Sequence, residues 1–192
     1  MTPQPMIEIR GLTKAFAGQP VLRGVDMTVP EGMVTAVIGK SGEGKSVLLK
    51  HIIGLLKPDA GDILVGGRSL AGVPSAERRA FRRRCSYMFQ NMALFDSMTV
   101  FDNIALPLRE TARLSEAETA RRVGALAERL ELSGILGKFP SLISGGMQKR
   151  AALARALVTE PGLVLFDEPT TGLDPIRKSA VLSLIDQSRK RF

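Results

Sequence analysis

Residues 39–46, Gly-Lys-Ser-Gly-Glu-Gly-Lys-Ser, match the pattern G-x-x-x-x-G-K-[ST] without a gap or a substitution. No other stretch restricts the fold as much, because this loop functions only between a strand and a helix. Glycines at 39, 42 and 44 let the backbone curl into a concavity whose N–H groups face an anion, and the helix that follows adds its positive end. In such a loop Lys45 reaches the β- and γ-phosphates and the Ser46 hydroxyl takes Mg²⁺. The flanks fit. Met33-Val34-Thr35-Ala36-Val37-Ile38 is an apolar, partly β-branched run suited to a strand buried on both faces. Val47, Leu48 and Leu49 with Ile52, Ile53, Leu55 and Leu56 open an apolar helix. A Gly-rich surface turn would require neither flank, so the stretch reads as a binder of nucleotide phosphates in an α/β fold.

Size and composition permit one domain, or a domain with an inserted lobe: 192 residues, 44 % of them hydrophobic, are enough for a real core. No apolar run approaches the length of a membrane span. Residues Met1 to Met6 show no basic region followed by an apolar stretch, and a cytosolic protein is expected. The lone Cys85 cannot close an internal disulfide and lies in the strand-like run Cys85 to Phe89, where packing is its expected role. The net charge of +8 invites a nucleic-acid reading, but the charge is unevenly placed. Arginines 68, 78, 79, 82, 83 and 84 crowd one short helical stretch beside the single acid Glu77, with no aromatic platform among them for stacked bases. A solvated helix face is the first reading, with contact to anionic lipid or an acidic partner second and nucleic acid last.

Taken in order, Ile7 to Phe16 alternates like a half-buried strand, and Val21 to Val29 is its antiparallel partner after the Gly18-Gln19-Pro20 turn. A further short strand follows at Asp62 to Val65, after the turn Lys57 to Gly61. The arginine-rich helix leads into the Cys85–Phe89 strand, which ends at Gln90. From Asn91 to Leu157 the pattern is helical: Ser115-Glu116-Ala117-Glu118 is a capping box, followed by Val123, Leu126, Ala127 and Leu130 at helical spacing. Ser144-Gly145-Gly146 begins a long helix and is a second place where backbone N–H groups can hold an anion. Leu163 to Phe166 is another buried strand, which delivers Asp167 and Glu168 at its carboxyl end.

Two carboxylates at that position, downstream of a phosphate loop, have a direct use. Asp167 can hold Mg²⁺ through its water shell, and Glu168 can orient or deprotonate the water that attacks a γ-phosphate. Alone, such a pair would merely mark a strand end.

The whole set resembles the ATP-binding subunits of ABC transporters, in that family's order. Walker A is Gly39, Lys40, Ser41, Gly42, Glu43, Gly44, Lys45 and Ser46, with Val47 behind it. Gln90 is the Q-loop glutamine, Ser144-Gly145-Gly146 the signature, Leu163 to Asp167 Walker B, and Gly172-Leu173-Asp174 the D-loop. The resemblance covers the chain from about Ile7 to its last residue. It implies a P-loop NTPase fold: a RecA-like core sheet with an antiparallel β subdomain and an inserted helical subdomain. Residues 1–91 are expected to carry the ATP-binding core with the antiparallel sheet, Walker A and the Q-loop. Residues 92–157 are expected to form the helical subdomain ending in the signature, and 158–192 to return to an incomplete core. The resemblance also implies ATP and Mg²⁺ as cofactors, with Glu168, Lys45 and Gln90 catalytic and Ser46, Gln90 and Asp167 on the metal. Phe16 lies where the family places the aromatic that stacks on adenine. Ser144, Gly145, Gly146 and Asp174 are implied to serve the nucleotide of a second ATPase subunit packed head to tail. Membrane permease subunits are the implied further partners, on the cytoplasmic face of the membrane.

Two departures matter. In the signature, Ile143 and Met147 replace the commonest Leu and Gln, while the phosphate-facing Ser and glycines remain. With Met88 to Asp96 and Thr99 to Asn103, this looks like the Mla-type branch, which works with MCE lipid-binding proteins in phospholipid trafficking. The family's switch histidine, expected beyond the D-loop helix, is not in the chain; the single histidine is His51, in the helix after Walker A, where a packing or surface role is expected. The sequence therefore reads as a C-terminally truncated piece of a longer subunit, inactive alone. The rival readings are an amino-acid or other small-solute importer, a related ATPase of translation or DNA repair, and a kinase or GTPase. A GTPase would require Asn-Lys-x-Asp, and neither Asn91 nor Asn103 precedes Lys.

Overall fold

In a computed structural model, residues 5–111, 114–171 and 175–189 are described, and they divide into two compact units, 1–82 and 83–192. The first unit is built on a four-stranded antiparallel sheet of order β2-β1-β3-β4, from β1 (Ile7–Phe16), β2 (Gln19–Val29), β3 (Ala60–Val65) and β4 (Arg68–Ser69). β1 and β2 pair from Phe16↔Gln19 to Ile7↔Val29. Ile7, Ile9 and Leu12 are all buried although 9 and 12 differ in parity, because the register shifts between them and turns the strand by one residue. β3 adds along the other edge of β1, fastened by Asp59: its Oδ1 accepts from Lys14 Nζ at 2.6 Å and its Oδ2 from the Ala15 N–H at 2.7 Å. Gly61 permits that approach, since a Cβ there would lie 2.4 Å from the Gly11 carbonyl oxygen.

Helix α1 (Lys45–Ile52) follows the phosphate loop and buries Leu48, His51 and Ile52. It stops short of the expected Leu56: Gly54 turns the chain at φ +67°, and Leu55 is left 53 % exposed. The Arg82 guanidinium closes this end, donating to the carbonyls of Ile53 at 3.1 Å and Gly54 at 2.7 Å, where a cation also suits the helix dipole. Arg82 lies on α2 (Ser75–Arg83), the arginine-rich helix, which buries no residue and matches the expected solvated face.

One expectation fails. Residues 33–40 form no strand, and Met33, Val34 and Ile38 are 59 %, 56 % and 93 % exposed. The side chains are of strand type, but a strand buried on both faces exists only if neighbours supply its lateral hydrogen bonds and cover its faces. None of the described strands pairs with this segment.

The second unit joins a two-stranded parallel sheet, β5 (Cys85–Met88) and β6 (Leu163–Phe166), to helices α3 (Val100–Thr111), α4 (Glu116–Arg129), α5 (Gly145–Leu157) and α6 (Pro175–Arg189). Its core gathers Ile104 and Leu108 of α3, Val123 and Ala127 of α4 and Leu153 of α5, all at most 1 % exposed, with Met88, Val164 and Phe166 packed on from the sheet. Each such buried Ile, Leu or Val side chain contributes about 1.5–3 kcal/mol relative to exposure. Local signals set the helix ends as expected: Ser115 caps α4 by accepting from the Glu118 N–H at 3.2 Å, and Ser144 caps α5 by accepting from the Met147 N–H at 3.3 Å. Asn103, fully buried on α3, folds the preceding loop onto itself. Its amide donates to the carbonyls of Phe95, Met98 and Thr99, and its Oδ1 accepts from the Phe95 N–H.

Candidate active site

The first unit carries the phosphate loop. Residues 39–43 are exposed and 44–47 half-buried, so the loop lies open while its helix is anchored. Gly44 begins α1 at φ +91°, and a Cβ there would lie 2.8 Å from Val21 Cγ1 and 3.1 Å from Leu22 Cδ2, so both conformation and space demand glycine. Lys45 Nζ donates to the carbonyls of Gly39 at 2.9 Å and Lys40 at 2.8 Å, drawing the loop around its own cation. The Glu43 carboxylate accepts from the Lys40 N–H at 2.8 Å, and its Oε2 would lie 2.6 Å from a Cβ on Gly39. An anionic oxygen thus already sits over a backbone N–H of this loop, the kind of contact a phosphate oxygen makes, and the cradle fits that group. Phe16, at the end of β1, is 43 % exposed with Lys14 Nζ 5.6 Å from its ring centre, leaving aromatic surface open for stacking. His51 is 1 % exposed, with Nδ1 2.7 Å from the Val47 carbonyl, and packs inside the unit, one of its two expected roles.

The second unit carries the carboxylates. β5 and β6 pair in parallel with Tyr87↔Leu165 and Met88↔Phe166, and the ladder continues as Asp167 N–H donates to the Met88 carbonyl at 3.0 Å. Asp167 therefore emerges at the carboxyl end of β6, only 5 % exposed, and its Oδ2 accepts from the Tyr87 hydroxyl at 2.8 Å. Burial first, then this hydrogen bond and the adjacent carboxylate, push the Tyr87 phenol well above its ordinary range, so it remains a donor. Glu168 has a left-handed backbone, φ +51°, a conformation a non-glycine residue adopts at some cost. Its Oε2 accepts from Gln90 Nε2 at 2.8 Å and from the Thr171 hydroxyl at 3.0 Å, and Lys149 Nζ holds the Thr171 carbonyl.

Beyond Gln90 the chain turns through Met92 (φ +61°) and Ala93 (φ +47°), both left-handed. Arg155 of α5 secures the turn, its two terminal nitrogens donating to the carbonyls of Met92 at 2.6 Å and Ala93 at 2.7 Å. Ser144 and Gly145 are exposed and Gly146 half-buried at the start of the same helix, while Gln148 Nε2 turns inward to the Pro140 carbonyl at 2.8 Å. Asp174 lies outside the described residues. Cys85 is half-buried, and desolvation pushes its thiol up to about 12, which fits packing rather than redox chemistry.

Of the residues expected at the site, the second unit brings together Gln90, Asp167 and Glu168. The first holds the phosphate loop and Phe16. Tyr87, Thr171 and Arg155 were not anticipated. Tyr87 and Asp167 are recognisable as partners only once the β5–β6 register is known.

A family model described as ABC transporter matches residues 22–171, a span that includes the phosphate loop, Gln90, the Ser-Gly-Gly helix start and both carboxylates. The chain belongs to the ABC transporter family. Its cassette fold matches a dimeric post-hydrolysis ATP-binding cassette, MJ0796, bound to ADP and Pi, with TM-score 0.87 and 28 % identity over 97 % of this chain and 84 % of that one. Among curated relatives, the protein named "Probable ribonucleotide transport ATP-binding protein mkl" of Mycobacterium leprae is 45 % identical over 93 % of this chain and 52 % of its own length. The intermembrane phospholipid transport ATP-binding protein MlaF of Escherichia coli K12 is 39 % identical over 95 % of this chain and 68 % of its own. The methionine import ATP-binding protein MetN 1 of Burkholderia lata is 42 % identical over 97 % and 55 %. The chain thus spans about half of the Mkl relative and about two thirds of MlaF. No helix among the described residues is long and apolar enough to cross a membrane.

Proposed function

We propose that this chain carries the ATP-binding and ATP-hydrolysing machinery of an ABC transporter that moves phospholipid or another lipid. The observation that carries the enzymatic part is the Gln90–Glu168 hydrogen bond of 2.8 Å, which sets a carboxylate beside a side-chain amide at the end of a strand. In this reading Lys45 and the N–H groups of Gly39 to Ser46 bind the phosphates, with Val47 behind them and Phe16 stacking on adenine. Glu168 is the general base for the attacking water, and Gln90 orients that water. Ser46, Asp167 and Gln90 are the residues that would hold Mg²⁺; a hydroxyl, a carboxylate and an amide are the hard oxygen donors it takes. Mg²⁺, when bound, offsets charge on the phosphate oxygens.

Ser144 and Gly145, exposed at a helix start, and the half-buried Gly146 serve a nucleotide held by a second ATPase subunit, as does Asp174. Permease subunits at the cytoplasmic face of the membrane complete the complex, with an MCE-type lipid-binding protein as further partner and nucleic acid absent. The MlaF relatives support lipid as the cargo. The MetN relative supports the second reading, a small-solute importer. Purifying the intact complex from membranes and identifying its subunits and bound lipid by mass spectrometry decides between them. An MCE-type partner with phospholipid supports the first, and an amino-acid-binding protein overturns it.

The enzymatic reading is tested by Glu168→Gln in the full subunit. ATP binding and dimerisation persist while hydrolysis falls by roughly 10²–10⁴-fold, the usual contribution of a general base. Unchanged turnover removes Glu168 from that role.

A further inference from the structure

We propose that Tyr87 is a positioning residue for Asp167, fixing the direction of the carboxylate that this subunit offers to its divalent cation. The proposal rests on the reading of Asp167 as a metal-holding group. In the parallel pair, Tyr87 stands opposite Leu165, so Tyr87, Leu165 and Asp167 share one face of the sheet while Met88, Val164 and Phe166 fill the helical core on the other. The phenol reaches forward along that face by one diagonal step, a span within the length of an aromatic side chain, and its hydroxyl donates to Asp167 Oδ2 at 2.8 Å. The ring is itself steadied by Phe89, with centroids 4.5 Å apart and planes inclined at 49°.

The chemical identity of the donor matters. A Lys or Arg at this position would bring a positive charge that competes with a cation, whereas a phenol fixes one carboxylate oxygen without adding a charge of its own. The same short segment repeats the device three residues later, where the neutral amide of Gln90 holds Glu168. Each of the adjacent carboxylates therefore has, among its partners, a neutral donor from the end of β5 or the residues just beyond it. A carboxylate 5 % exposed and oriented before the cation arrives has little reorganisation left to complete on binding.

The test uses Tyr87→Phe and Asp167→Asn in the full subunit, with Mn²⁺ as the probe. Its binding in the presence of ATP is followed by electron paramagnetic resonance, alongside ATP binding without metal, the Mg²⁺ dependence of hydrolysis and thermal melting. Tyr87→Phe is expected to weaken Mn²⁺ binding and raise the Mg²⁺ concentration for half-maximal turnover by about tenfold, as loss of a partner to a metal-binding residue usually does. Metal-free ATP binding stays unchanged, and kcat at saturating Mg²⁺ recovers most of its value. A variant that melts earlier but keeps the wild-type Mn²⁺ affinity shows a packing role only and overturns the proposal, as does an equal loss of metal-free ATP binding. Asp167→Asn separates the two failures. If it leaves Mn²⁺ binding intact, the metal role of Asp167 itself is wrong; if it abolishes binding while Tyr87→Phe changes nothing, only the role of Tyr87 is.

Discussion

The phosphate loop and the carboxyl end of β6 reach their geometry by different routes. In the loop, Glu43 bonds back to Lys40 three residues away, and Lys45 to the carbonyls of Gly39 and Lys40. At the strand end, Asp167 and Glu168 are held by Tyr87 and Gln90, 80 and 78 positions distant in the chain. The first arrangement is written in contiguous residues. The second exists only after two strands have found each other. Local geometry of the loop therefore persists beside a segment, 33–40, that forms no strand, whereas the carboxylates have no such independence from their neighbours.

The largest expected break of that contrast is Gly44→Ala. A side chain must then take φ +91° and intrude on Val21 and Leu22, which together cost about 2–4 kcal/mol. In the full subunit this lowers the urea midpoint and abolishes measurable nucleotide binding, even though only one methyl group has been added. If Gly44→Ala binds ATP normally, the loop is not as locally determined as its geometry implies.

Arg155→Ala attacks the other side of the contrast. Its guanidinium is half-buried, with desolvation drawing its pKa downward, and it satisfies the Met92 and Ala93 carbonyls in a left-handed turn whose N–H groups already donate to Phe89 and Asn91. Leaving those carbonyls unpaired is expected to cost about 2–3 kcal/mol, read as a lower urea midpoint. The turn follows Gln90 directly, so hydrolysis should fall while ATP affinity stays near wild type. Equal loss of both would show that the two regions are coupled more tightly than the hydrogen bonds indicate.

This difference also explains what could be read from the sequence. The pairing of β1 with β2, the β3 strand, the helical lobe, the cap at Ser115, the helix start at Ser144 and the β6 strand were legible because each rests on periodicity or on a side chain within four residues of the group it satisfies, whereas the two-residue strand β4 was not anticipated. The same holds for Gly39 to Ser46, where the bonds of Glu43 and Lys45 to Lys40 and Gly39 close within six residues. The strand expected at 33–38 was the converse case. Its composition was right, but strandness depends on partners that composition does not name. Helix α1 ended early because Gly54 outweighed the apolar spacing of Leu55 and Leu56. Gln90 and Glu168 were singled out separately, and their contact needed the β5–β6 register. Tyr87 carried no signal, since an aromatic residue in a strand is ordinarily packing.

The smallest expected effect probes electrostatics on α4, where the contacts are again local. Glu118 takes bidentate hydrogen bonds from Arg121, at 2.7 and 2.8 Å, and another from Arg122 at 2.8 Å. These guanidinium donors, Arg121 first, hold its carboxyl down to about 2 from an ordinary 4.5. Because the folded value lies below the unfolded one, the carboxylate's contribution is fully present above about pH 4.5 and is lost as pH falls toward 2. Wild type should therefore lose a small increment of stability across that window relative to Glu118→Gln, whose side chain does not titrate. The Glu118 side chain is half-exposed and the Arg121 side chain exposed, so water and salt screen the pair. Raising the salt to 1 M, where the screening length is about 3 Å, should nearly erase the difference between the two proteins. A difference that survives 1 M salt would assign the role to the hydrogen-bond geometry of the carboxylate rather than to its charge.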